Sequence, residues 1–135
     1  MNKAWPPCIK QLNRITDKTG ANIVVSSTWR LDGLASVRDL LKAWGAIGKV
    51  VGITPNMEQK DKSGLWKASP RGLEIAEFII EWNRNTPRNE IESFVIFDDD
   101  NDMDYLMPFL IQTPFDKGIT EADADKAIRM LGEMA

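Results

Sequence analysis

The residues best placed to do chemistry form one run, Asp98-Asp99-Asp100-Asn101-Asp102, directly behind the apolar stretch Phe94-Val95-Ile96-Phe97. Carboxylates packed this closely repel one another unless a cation or a basic partner neutralises them. Because every donor in the run is an oxygen, a hard ion such as Mg2+ is the natural partner. A solvated acidic turn is the plainer reading. The position behind a buried strand favours a ligand site instead, since ligands of open α/β sheets bind outside the carboxyl ends of the strands. A calcium loop counted from Asp98 would put Met103 where Gly is needed and Phe109 where Glu is needed, so the EF-hand is excluded.

Two further groups belong with the acids. Ser26-Ser27-Thr28-Trp29-Arg30 follows the short β-branched run Ile23-Val24-Val25 and supplies hydroxyls behind a second strand. Ser69 and Pro70 read as the N-cap and first position of a helix, which brings Arg71 to that helix's start. A cation there opposes the helix dipole, so a nearby anion is expected. If the strands are parallel, hydroxyl, guanidinium and carboxylates open on one edge. Those are the parts needed to hold and polarise a phosphoryl group.

The elements that must position these groups alternate along the chain. Pro6 and Pro7 lead into a helix with Ile9, Leu12, Ile15 and Thr16 on one face and Gly20 as its stop. After the strand at Ile23, Ser36 is the expected cap of a second helix carrying Val37, Leu40, Leu41 and Trp44, closed by Gly45. Val50 to Ile53 reads as a short strand, and Thr54 to Ser69 as a polar surface loop whose lysines, Lys60, Lys62 and Lys67, serve solubility. The helix at Ser69 should turn Leu73, Ala76, Ile79, Ile80 and Trp82 inward and fade between Asn85 and Pro87. Ser93 to Phe97 is the acid-tipped strand, Met103 to Phe109 a short helix, and Leu110 to Gln112 a last strand. Thr120 and Asp123 form a capping box for a final helix with Ala124, Ala127, Ile128 and Leu131 on its apolar face. Helix and strand in strict alternation predict a parallel α/β sheet.

Composition narrows the chemistry. The chain contains no histidine, which removes histidine-based triads, histidine-ligated zinc and histidine general bases. A single cysteine, Cys8, permits neither an internal disulfide nor a multi-thiolate zinc site and fits a reducing, cytoplasmic setting. At net charge −3 no overall basic field gathers nucleic acid, so any such contact must be local. Base stacking by Trp29 or Trp66 is one form it could take. No apolar run approaches the roughly 20 residues of a membrane span. A chain of 135 residues forms one domain.

The motifs together resemble the haloacid-dehalogenase-like (HAD) phosphohydrolase superfamily, and within it the HAD domain of Swiss Army Knife RNA repair proteins. The resemblance is carried by the segment from Thr19 to Arg30, by Arg71-Gly72-Leu73-Glu74-Ile75, by Phe94 to Met103, and by Gly118-Ile119-Thr120. It implies a Rossmann-like three-layer sandwich with a mostly parallel sheet. By that likeness Ser26 is the phosphate-binding hydroxyl, with Ser27 as the near alternative, and Arg71 balances charge on nucleophile and phosphate. Asp98 and Asp99 then hold Mg2+, Asp102 is an alternative second acid, and Arg30 contacts substrate phosphate. The implied substrate is phosphorylated, with a nucleotide or polynucleotide end as the candidate.

One family motif has no counterpart. Members begin with an apolar strand ending in Asp-x-Asp, the first Asp attacking phosphorus, and nothing ahead of Ile23 has that form. In the family fold that strand lies between those matched here by Ile23 to Val25 and Phe94 to Phe97. The chain is therefore expected to be an incomplete HAD-like domain with a gap in its sheet, inactive alone and filled by self-association or by a partner. A catalytically dead HAD-like binding or assembly module is the alternative.

Overall fold

The computed structural model describes residues 6–26, 33–55, 57, 59–60, 63–67, 70–113 and 118–132. Helix α1 (Pro6–Thr19) buries Ile9, Ile15 and Thr16, and the chain leaves it at Gly20, whose N–H still donates to Thr16 O. Strand β1 (Ile23–Val25) follows, then α2 (Leu34–Ala43) and β2 (Val50–Ile53), which pairs with β1 in parallel. Helix α3 (Arg71–Asn85) leads to β5 (Ile96–Asp98), a 3-10 helix (Asp104–Phe109), β6 (Leu110–Gln112) and α4 (Glu121–Leu131). Strand β6 pairs with β5, also in parallel. The capping box of α4 is present as the sequence predicts: Thr120 Oγ1 accepts from Asp123 N–H at 3.2 Å and Asp123 Oδ2 from Thr120 N–H at 3.0 Å.

Several expectations shift. Helix α2 starts two residues ahead of Ser36, because Gly33 at φ 96 turns the chain into the helix and its carbonyl accepts from Val37 N–H. The stretch read as a plain loop contains a small antiparallel ladder, β3 (Gln59–Lys60) with β4 (Trp66–Lys67), reversed around Ser63 and Gly64. Ser69 lies outside the described residues, and Pro70 occupies the N-cap of α3 rather than its first turn. Leu73 and Ile80 face outward, while Gly72, Glu74 and Ala76 are buried. The acid-tipped strand begins at Ile96, two to three residues later than expected, and includes Asp98.

Two apolar clusters lie on opposite faces of the β5–β6 pair. On one face Ile111 packs with Ile15 of α1 and with Ala124, Ala127 and Ile128 of α4, with Phe97 beside them. On the other, Ile96 packs with Ala76 of α3 and with Met103 and Leu106. The side chains of consecutive strand residues alternate between these faces, as the pleat requires. Both α1 and α3 also reach the β1–β2 pair. A Cβ on Gly52 of β2 would lie 2.6 Å from the Phe78 ring of α3, and one on Gly48 would lie 2.7 Å from Thr16 of α1. Asn13 of α1 adds two hydrogen bonds to the segment ahead of β2, to Gly45 O and from Ile47 N–H, both at 2.9 Å. The two parallel pairs are thus held side by side between the same two helices. Among the described residues no strand pairs β1 with β5. No described helix is long and apolar enough to cross a membrane.

Candidate functional site

The carboxyl ends of the strands meet at the first turn of α3. Val25 O, at the end of β1, accepts from Thr54 N–H, just past β2. Three residues on, Met57 N–H donates to Glu74 Oε2 in that first turn. From the other side the ion pair of Arg71 Nε with Asp98 Oδ2, at 3.6 Å, ties the end of β5 to the same turn. Strands β1, β2 and β5 therefore point the same way. Ser26, Arg71, Asp98 and Asp99 share one cleft of about 920 Å³.

The loop behind β5 crosses the helix start at very close range. Asp102 Oδ2 accepts from Arg71 N–H and Asp102 O from Gly72 N–H, each at 3.0 Å. These bonds satisfy two of the N–H groups a helix leaves open at its N-terminus, and the carboxylate suits the positive end of the dipole. Glycine at 72 is required by this approach: a Cβ there would lie 2.1 Å from Met103 O. Asp98 is only 14% exposed, and its Oδ1 accepts from Asp100 N–H at 3.0 Å. Burial pushes its carboxyl above the ordinary carboxylate value, and the Asp99 carboxyl adds to that push, against the Asp100 N–H and the Arg71 guanidinium. Arg71 Nη1 is buried with no hydrogen-bond partner. A buried guanidinium nitrogen left without an acceptor is costly, and an anion would complete it.

The expected site is therefore assembled in part. Ser26 lines the cleft at the end of β1, and Arg71 contacts Asp98 through its guanidinium and Asp102 through its backbone N–H. Asp99 lies on the cleft wall, its backbone carbonyl accepting from Gln112 Nε2 at 3.0 Å. Ser27, Thr28, Trp29 and Arg30 lie outside the described residues, as does Lys62. Sequence reasoning missed Glu74, which is buried and joins the loop after β2 to α3, and Thr113, buried on the cleft wall with its N–H on Asp98 O. Neither carried a signal in the sequence: Glu74 lies off the apolar stripe expected for α3, and its burial is set by Met57 N–H from a distant loop.

Asp98 and Asp99 offer hard oxygens, and their mutual repulsion is of the kind a divalent cation relieves, so the pair fits part of a Mg2+ site. Among the described residues no group of three such side chains converges. No curated protein and no solved structure matches the chain. The family described as the HAD domain in Swiss Army Knife RNA repair proteins matches it over residues 3–124, nearly the whole length of a chain whose parallel strand pairs are compatible with that fold, and the protein belongs to this family.

Proposed function

We propose that the cleft is the phosphoryl site of a HAD-type, Mg2+-dependent phosphatase acting on nucleotide or polynucleotide phosphate ends, within a three-layer sandwich. The observation that carries this reading is the unsatisfied, buried Nη1 of Arg71 beside the Asp98 carboxyl. A phosphate oxygen would complete the guanidinium in the charge-assisted geometry it prefers. The Ser26 hydroxyl would donate to a second oxygen and fix the group's orientation. Asp98 and Asp99 would hold Mg2+, which when bound offsets phosphoryl negative charge. Asp102 has one oxygen on the α3 N-terminus and supports the site by holding Arg71 in place. Ser27 and Arg30 are assigned the substrate phosphate by the family likeness alone. The lone Cys8 agrees with a cytoplasmic setting.

The chain alone is expected to be inactive, since no strand ending in Asp-x-Asp stands ahead of Ile23. A non-catalytic binding module is the second reading, favoured by the lack of a three-ligand cluster among the described residues. Calorimetric titration with orthophosphate and Mg2+ tests both. Binding should weaken about tenfold or more in Arg71→Met, the loss expected for one charge-assisted hydrogen bond, while a generic phosphomonoester is not turned over. A folded chain that binds no phosphate refutes the phosphoryl site. Phosphate binding indifferent to Mg2+ selects the binding module. Turnover that survives repurification and disappears in Asp98→Asn refutes inactivity.

A further inference from the structure

The outer side of α3 carries a feature that the cleft does not use. Helix α3 packs on the 3-10 helix through Ala76, which is buried in one cluster with Leu106. Leu73 and Ile80, three residues before Ala76 and four after it, lie beside that contact and are exposed. On the 3-10 helix Tyr105 and Met107 flank Leu106, both exposed, and Phe109 lies one turn beyond Leu106, stacked on Phe94 at 4.3 Å but open on its other side. Five of the eight large apolar side chains exposed among the described residues therefore come from two touching elements. Single exposed apolar residues are ordinary, whereas such a concentration marks a surface that another molecule covers.

Acids border this patch. Glu77 lies on the same side of α3 as Leu73 and Ile80, four residues after one and three before the other, and the exposed Asp104 opens the 3-10 helix. Among the described residues neither acid joins an ion pair. The cations of α3 do not offset them, since Arg84 is held by Glu81 at 2.6 Å and the Arg71 guanidinium is turned to Asp98.

We infer that Leu73 and Ile80 of α3, with Tyr105, Met107 and Phe109, form a docking surface for an amphipathic helix of another protein, apolar on one side and flanked by Lys or Arg. Leu73 and Ile80 are seven residues apart, about 10 Å along the helix axis, which matches anchors at i and i+7 on a helix laid alongside. Basic side chains at the flanks of that helix reach Glu77 and Asp104 while their alkyl stems cover the apolar rim. A second copy of the chain is the poorer occupant, because a two-fold contact sets the patch against itself and brings Glu77 and Asp104 up to the same acids. None of the five apolar residues lines the cleft, so the inference stands apart from phosphate binding.

A synthetic helical peptide of about 18 residues, with Leu at i, i+3, i+4 and i+7 and Lys elsewhere, tests it on the full chain. It should bind saturably, more weakly as salt rises, and shift the methyl resonances of Ile80 and Met107. The same peptide with Glu in place of Lys should not bind. Ile80→Lys and Glu77→Lys should each weaken binding about tenfold or more, and Arg71→Met should bind like the parent. Both altered positions lie at the surface, and circular dichroism and Tm check that the variants are folded. A folded chain that ignores the Lys peptide overturns the inference, as does equal binding of the Lys and Glu peptides or binding that Ile80→Lys leaves unchanged. A chain that is dimeric alone and becomes monomeric in Ile80→Lys also overturns it, making a second copy the occupant.

Discussion

Replacing Gly72 by Ala asks whether the close crossing of the 99–103 loop over α3 is as rigid as its contacts indicate. A Cβ at position 72 would lie 2.1, 2.4 and 2.7 Å from Met103 O, C and Cα, where real Cβ atoms do not come within 3.0 Å. The obstacle is backbone, and Met103 is fully buried against Ala76, Ile96 and Leu106, so it cannot rotate aside. Loop or helix must move by roughly an ångström, the kind of overpacking that costs about 1–3 kcal/mol. The same movement stretches the hydrogen bonds from Arg71 N–H and Gly72 N–H to Asp102, each contributing about 1 kcal/mol. Against this stands a helix-propensity gain of at most about 1 kcal/mol. The net is a loss of about 2–3 kcal/mol, or a fall in Tm of about 8–12 °C for a domain of this size. Thermal and urea unfolding followed by circular dichroism would measure it. A variant as stable as the parent, or more so, would refute the crossing, because propensity would then have won.

The two acids of the loop should respond oppositely to amidation. Asp98 has a raised pKa in the folded chain, so the folded state holds its proton more tightly and stability falls as pH rises through the window from about 4 upward. Asp98→Asn lacks that loss, and without added metal it should gain on the parent between pH 3 and pH 7, roughly the window that urea midpoints can cover. Asp102→Asn removes a carboxylate from a helix N-terminus and should destabilise by about 0.3–1 kcal/mol at neutral pH; equal signs for the two variants would contradict the division of roles. Thr120→Ala should cost about 0.5–2 kcal/mol by deleting the acceptor for Asp123 N–H. An unchanged urea midpoint would mean that α4 is held by its packing on α1 alone.

The alternation of helix and strand was legible wherever a local rule and the tertiary environment agreed. Gly20 ends α1, Thr120 and Asp123 cap α4, and Ile23 to Val25, Val50 to Ile53 and Leu110 to Gln112 are strands as their composition suggests. The misses lie where a distant segment decides. Leu73 and Ile80 are the apolar choice for the buried side of α3, yet both are exposed; Ala76 is buried as expected, with Gly72 beside it, and Glu74 is buried on a different side of the helix. A loop 30 residues away needs room above Gly72, and Met57 N–H needs the Glu74 carboxylate. Ser36 is a good cap by type but was not used, because a glycine at positive φ made the turn three residues earlier. The β3–β4 ladder joins only two residue pairs, too short for any periodicity to show. At the site, residue types pointed to Ser26, Arg71 and the acidic run, but they did not distinguish Asp98 from Asp102.

That distinction follows from the path of the chain. Asp98 is the last residue of a strand buried between helices, so its carboxylate is desolvated and pressed against Asp99 and Arg71. Asp102, four residues on, has turned over the start of α3, where backbone N–H groups and the helix dipole welcome an anion. The dipole that makes Arg71 unfavourable at a helix start is thus answered by one acid, while the other engages the guanidinium through Nε alone. Helix end and strand end are each satisfied, and the demand left at this site among the described residues is at Nη1 of Arg71. That nitrogen is buried beside a cleft lined by Ser26, Asp98 and Asp99, so an anion entering the cleft would complete it in the charge-assisted geometry a guanidinium prefers. The phosphate titration with the parent and Arg71→Met therefore reads that single demand directly, since the acid on Nε and the acid on the helix start are already engaged.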